Sequence, residues 1–199
     1  MKTRKTLLLL VLAVVFSIVL AACGNSSPST ESSSAAGEEP GTAETNTNGG
    51  NILIAYFSHT GNTEEVAGQI ADLTGGTLAE IQRAEEYGDL QEEAEAEILE
   101  GVHPEITVSV DNVEDYDTIF VGYPIWWDEA PAMIATFLAE NDFSGKTIIP
   151  FCTSASDDID NSLHTFSELC PDAEIAEGLT ADDLNDIEPW IQELGNLLT

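Results

Sequence analysis

Hydrophobic and polar positions along this 199-residue chain fall into blocks with different periods. A continuous apolar run, Leu7–Ala22, follows a basic start at Lys2, Arg4 and Lys5. Residues 23–50 then contain no aliphatic side chain larger than Ala, with Ser, Thr, Gly, Asn, Pro and Glu making up most of the rest beside Cys23. From Ile52 onward, short apolar runs alternate with helical spacing. Ile52–Phe57 predicts a strand buried on both faces. Val66, Ile70 and Leu73 follow at helical intervals up to the stop at Gly75-Gly76. Gly76–Gln82 reads as a second strand and Tyr87–Leu99 as a helix with Leu90, Ala94 and Ile98 on one side. Gly101–Val110 reads as irregular, with room for a short extended piece. Thr118–Gly122 is a compact buried strand inside Asp115–Tyr123. Met133, Ile134, Phe137 and Leu138 form the inner face of a helix led by Pro131, whose missing N–H is harmless in a first turn. Lys146–Cys152 is a fourth strand, Thr153–Ser162 a polar loop, Leu163–Leu169 a short helix and Glu174–Leu179 a weak last strand. Leu184, Ile187, Ile191, Leu194 and Leu198 mark a final helix, kinked or divided near Pro189.

Five strands alternating with five helices predict a parallel sheet covered on both faces. The loops after the first, third and fourth strands converge at the strands' C-terminal ends: Ser58–Thr63, Pro124–Trp127 and Thr153–Ser162.

The first two blocks predict export and tethering. A basic start, an apolar stretch and terminal small residues make a secretory signal peptide over residues 1–22. Cys23 directly after Leu20-Ala21-Ala22 resembles the bacterial lipobox. That resemblance implies cleavage before Cys23 and a diacylglycerol thioether on its sulfur. The alternative is an uncleaved membrane anchor, for which the apolar run is slightly short. Either way the expected location is the extracytoplasmic face of the cell membrane. Residues 23–50 cannot bury enough apolar surface to offset their ordering entropy and are expected to act as a spacer. Residues 51–199 have the length of one ordinary domain.

Charge narrows the partners. Three of the five Lys and Arg residues lie in the leader, leaving Arg83 and Lys146 against 37 carboxylates, a net charge of −35 with His neutral. This excludes a nucleic-acid-binding face and fits an acidic surface that attracts a basic partner. Cys152 and Cys170 could form one bridge in an oxidising compartment or stay as buried thiols. No metal site is expected, because neither CxxC spacing nor ligand-type neighbours of His103 and His164 are present.

The stretch Ser58-His59-Thr60-Gly61-Asn62-Thr63 carries the clearest chemistry. A strand-to-helix turn aims free N–H groups and the positive end of the helix dipole at one point. Ser58, Thr60, Thr63 and Asn62 add polar groups, and Gly61 permits close backbone approach. Together they suit a phosphate dianion without Lys or Arg. The plainer reading is a helix cap, with Asn62 and Glu65 as a capping-box-like pair. Farther on, Trp126 and Trp127 are adjacent and cannot both face one core in an extended or turning segment.

The S-H-T-G-N-T turn after an apolar strand resembles the phosphate loop of flavodoxins, S/T-x-T-G-x-T. Y-P-I-W-W (Tyr123–Trp127), the Pro131-led helix and G-K-T-I-I-P-F-C-T-S (Gly145–Ser154) are similar to a lipoprotein subgroup of that family. The resemblance covers nearly all of residues 51–199. It implies a flavodoxin-like doubly wound five-stranded parallel sheet in three layers, α/β/α. It also implies FMN as cofactor, with Ser58, His59, Thr60, Gly61, Asn62 and Thr63 at the phosphate. Pro124, Ile125, Trp126 and Trp127 would flank the ring, and Thr153, Ser154, Ala155 and Asp158 would face its pyrimidine edge. No side chain is then needed as a catalytic acid or base, and the expected role is electron transfer with a basic redox partner.

One departure bears on this. The subgroup follows P-F-C-T-S with a glycine-rich loop, whereas here Ala155–Ser162 has no glycine and carries Asp157, Asp158 and Asp160. The position after the tryptophan pair, commonly Gly, is Asp128. Aspartates beside a flavin would disfavour its anionic reduced ring and lower its reduction potential. Two other functions stay open: a flavodoxin-like lipoprotein without flavin that serves as a binding or scaffold module, and an FMN-dependent NAD(P)H quinone reductase. No G-x-G-x-x-G nicotinamide fingerprint follows a strand.

Overall fold

A computed structural model describes residues 51–195, 197 and 198. The expected signal peptide, the expected lipidation site at Cys23 and the expected spacer all lie outside the described residues. The domain runs β1 (Ile52–Tyr56), α1 (Asn62–Thr74), β2 (Thr77–Arg83), α2 (Leu90–Glu100), β3 (Ile106–Val108), β4 (Thr118–Pro124), α3 (Ala132–Glu140), β5 (Thr147–Thr153), α4 (Leu163–Leu169), β6 (Glu174–Ile175), β7 (Leu179–Thr180) and α5 (Ile187–Glu193).

The sheet order is β3-β2-β1-β4-β5-β6, with β7 also on β5. Every pairing is parallel except β2 with β3. Successive residues of a strand go to opposite faces, as its pleat requires. Leu53 and Ala55 of β1 join Ile119, Val121, Met133, Phe137 and Phe166 in one core. Ile52, Ile54 and Tyr56 join Val66, Ile70, Phe120, Phe151 and Trp190 in the other. Helix α1 packs beside α5 on this second face, and α3 contacts α2 and α4 on the first. The expected three layers and doubly wound parallel sheet are therefore present.

Three local features refine the pattern read along the chain. The stretch read as irregular supplies an antiparallel edge strand, β3, joined to β2 through Ile81, Gln82 and Arg83. The last parallel strand is split. Backbone groups of Ile148 and Cys152 point toward the edge, accepting from Ala176 N–H (2.9 Å) and Ala181 N–H (2.8 Å). Pro150 sits midway between them on the same side and has no N–H to give, so the ladder breaks into β6 and β7. Finally, the chain enters α5 through a 3₁₀ turn, Leu184–Asp186, and Pro189 lies in the first turn of α5. Pro189 there displaces no helical hydrogen bond, and the division falls ahead of it.

Gly122 of β4 is required for close approach. The ring of Phe151, its neighbour on β5, occupies the space where a Cβ would sit. Cys152 and Cys170 are both free and buried, so the two thiols are not bridged. Burial pushes the Cys152 thiol up to about 12 and the Cys170 thiol up to about 11.

Candidate functional site

Three loops meet at the C-terminal ends of β1, β4 and β5, and hydrogen bonds fasten them together. Phe57 N–H donates to Gly122 O (2.9 Å), and Ile125 N–H donates to Thr153 O (3.0 Å). The hydroxyls of Thr63 and Thr153 bond each other at 2.9 Å, tying the first loop to the third. Thr63 is almost fully buried, so this bond is shielded from solvent.

The cap of α1 differs from the capping-box reading. Gly61, not Asn62, is the cap residue, with φ 92° in the left-handed region and no side-chain cap bond. Its N–H donates to Ser58 Oγ (3.1 Å), and its carbonyl accepts the first helical bond from Glu65 N–H (3.0 Å). A side chain is not used because the left-handed Gly61 turns the chain directly into the helix. The N–H groups of Asn62, Thr63 and Glu64 consequently have no acceptor among the described residues. They and the helix dipole form an anion-accepting end.

A cleft of about 460 Å³ opens beside this turn. Thr60 and Asn62 line one part of it, and Pro124, Ile125, Thr153, Ser154 and Ala155 another. Seven of the residues expected at a ligand thus share one cleft. Sequence reading missed the rest of the lining, chiefly Ala181, Asp182 and Leu184 from the segment after β7, and Glu65 and Val66 of α1. No basic side chain lines the cleft.

Ser58 and His59 line a neighbouring cleft that includes Arg83 and Tyr87. Trp126 packs beside this second cleft. Its ring meets those of Phe57, His59, Tyr87 and Trp127 edge-on, with centroids 5.3, 5.9, 6.3 and 6.3 Å away. Tyr87 is held in turn: its hydroxyl donates to Glu97 Oε2 (2.8 Å), and the Arg83 guanidinium lies 4.6 Å from its ring centroid. Arg83 also pairs with Glu97 Oε1 at 3.0 Å. The aromatic cluster therefore rests on a partly buried ion pair.

Trp126 and Glu129 exchange two backbone bonds of 2.9 Å each, closing a two-residue hairpin. Its central residues, Trp127 (φ 50°) and Asp128 (φ 64°), are both left-handed, as a type I′ turn demands. Asp tolerates that region and Trp does not, so the turn presents Trp127 under backbone strain. The Trp127 ring is 40% exposed and faces a different cleft, beside Glu129 and His164. The two tryptophans do not share one core: Trp126 packs against it and Trp127 lines this cleft, their rings meeting edge-on. Glu129, whose pKa is raised by burial, lies 3.6 Å from His164 Nδ1.

The aspartates of the third loop do not line the 460 Å³ cleft. Asp158 Oδ1 accepts from Asp160 N–H (3.3 Å) and from the Thr180 hydroxyl (3.4 Å). Its carboxylate thus caps the 3₁₀ turn Ile159–Ser162. The carboxylates that do enter the cleft are Asp182 and Glu65.

A family model described as Flavodoxin matches residues 51–194. A candidate flavoprotein from Bacteroides eggerthii is 34% identical with a TM-score of 0.66, the match covering 73% of this chain and 98% of that one. One from Bacteroides uniformis is 33% identical with a TM-score of 0.62, covering 72% and 99%. A Lactobacillus acidophilus flavoprotein, solved in complex with FMN, is 25% identical with a TM-score of 0.60, covering 71% and 98%. No curated protein matches the chain.

Proposed function

The chain belongs to the flavodoxin family, and from that premise we propose that it is an FMN-binding electron carrier anchored at the extracytoplasmic face of the membrane. The observation that carries the reading is the turn Ser58–Thr63, with three helix N–H groups that have no acceptor among the described residues beside the cleft. That donor set suits a phosphate monoester, and the FMN complex of the Lactobacillus acidophilus relative supports FMN as the ligand.

Bound FMN would supply the redox chemistry. The protein's own residues bind and orient. Asn62, Thr63 and Glu64 N–H groups, with the Thr60 hydroxyl, would hold the phosphate. Ser58 Oγ fixes the turn by accepting from Gly61. Pro124, Ile125 and the Trp126 cluster would border the ring, and Thr153–Ala155 its polar edge. Glu129 and the acidic surface would dock a cationic partner. Anchoring through a lipid on Cys23 is supported by the leader and the Leu-Ala-Ala-Cys junction.

An FMN titration of the purified protein, followed by quenching of flavin fluorescence, tests the reading. Saturation at one FMN per chain is expected, with weaker binding in Trp126→Ala. No saturation at high micromolar FMN would reject it in favour of a flavin-free binding module. Steady NAD(P)H consumption in the presence of a quinone would instead point to a reductase.

A further inference from the structure

The third loop spends its own hydrogen-bond donors. Ser154 Oγ accepts from Ser156 N–H (3.2 Å) and Asp157 N–H (2.8 Å). Thr180 Oγ1 accepts from Ile159 N–H (3.0 Å), and Asp158 Oδ1 from Asp160 N–H (3.3 Å). Ser154 N–H, the first donor past β5 and at the cleft wall, donates to Asp182 Oδ1 at 3.1 Å. Of the backbone donors lining this part of the cleft, Ala155 N–H is left without an acceptor among the described residues. A glycine-rich loop would leave such donors open for a ligand's carbonyl oxygens. Here a carboxylate from the segment after β7 has taken the first of them.

Asp182 also places a full negative charge in a cleft that already contains Glu65 and no cation. At the opposite part of the same cleft stand the N–H groups suited to a dianion. Asp182 therefore opposes an anionic ligand twice, through charge and through occupancy of a donor.

We propose that Asp182 is the residue that sets ligand affinity in this cleft, holding Ser154 N–H in the ligand-free protein so that FMN has to displace it. The proposal rests on the FMN reading above and assigns to Asp182 a negative, tuning role. The loop aspartates 157, 158 and 160 are outside the cleft and have no such role.

The experiment compares FMN dissociation constants of the purified wild-type protein, Asp182→Asn, Asp182→Ala and Asp158→Ala. Asp182→Ala removes charge and acceptor and is expected to tighten binding about tenfold. Asp182→Asn removes only the charge, retains an acceptor oxygen and is expected to tighten it less. Asp158→Ala is expected to leave the affinity within about twofold. In the ligand-free protein, amide hydrogen exchange at Ser154 should accelerate in Asp182→Ala and not in Asp158→Ala. FMN binding by Asp182→Ala but not by the wild type would support the proposal most strongly. Wild-type binding that is unchanged or weakened in both Asp182 variants would overturn it and leave the flavin reading standing. Failure of every protein to bind FMN would overturn both. Unchanged exchange at Ser154 would overturn the latch regardless of FMN.

Discussion

Gly122→Ala tests how the sheet beneath the cleft is packed. Gly122 lies in the middle of the sheet, opposite Tyr56 on β1 and Phe151 on β5. A Cβ at this position would sit 2.8 Å from Phe151 Cε1 and closer still to Cε2 and Cζ. Carbon atoms rest at about 3.5–4.0 Å, so the ring must retreat by roughly 1.5 Å. Phe151 is fully buried in the core with Tyr56, Val66 and Ile187, so its ring can move only by displacing neighbours. Overpacking of this kind costs about 3 kcal/mol, the upper end of the usual range. For a domain of this size that corresponds to a fall in Tm on the order of 10 °C. Urea unfolding at constant m-value reads the change directly. The cause can be isolated with Phe151→Leu, which shortens the obstructing ring. The double variant should be more stable than the sum of the two single changes allows, by at least about 1 kcal/mol. A Gly122→Ala protein within about 0.5 kcal/mol of wild type, or a strictly additive double variant, would refute the close-approach argument.

Arg83→Met should destabilise by about 3 kcal/mol, because Glu97 would keep a largely buried charge without its cation. Glu97→Gln in that background should recover more than half of the loss in the same urea assay. At alkaline pH, stability should fall as pH rises past about 10, because burial raises the Tyr123 and Tyr87 pKa values above the ordinary 10.0 and the unfolded chain releases protons that the folded one retains. Tyr123→Phe should move the alkaline unfolding midpoint upward, as read by circular dichroism against pH. In a Cys23→Ser background, Cys152 and Cys170 should resist Ellman's reagent at pH 8 and both react in urea, since burial holds their thiols protonated. Rapid reaction of either in the folded protein would contradict the burial.

The strands β1, β4 and β5 were legible because burial on both faces leaves continuous apolar runs. The Ser58–Thr63 turn was legible because its residue types and its place between strand and helix coincide. Glu174–Leu179 showed only as a weak strand, and its break depends on Pro150 in another strand, a pairing effect that no local window contains. β3 showed only as room for a short extended piece, because three residues on an edge, with Thr107 exposed, give too short an alternation to stand out. The acidic loop drew attention to Asp157, Asp158 and Asp160 by composition. The carboxylate that enters the cleft, Asp182, arrives from a segment beyond β7 and is separated from Ser154 by 28 positions. The gap of glycine at 128 was visible in the sequence, yet its meaning required the backbone: Asp128 occupies a left-handed turn position.

The parallel order of the central strands also gives the molecule a direction. β1 begins at Ile52 and ends at the Ser58–Thr63 turn, so Asn51 and the cleft lie at opposite ends of the same strand. Asn51 is fixed there: its carbonyl accepts from Asp117 N–H (3.0 Å) and its amide donates to Asp115 O (3.0 Å). A pull or an attachment applied through the preceding chain therefore acts on the floor of the sheet, one strand length, about 17 Å, from the ligand loops. An attachment made directly at Asn51 would hold the domain by the end of β1 opposite the cleft.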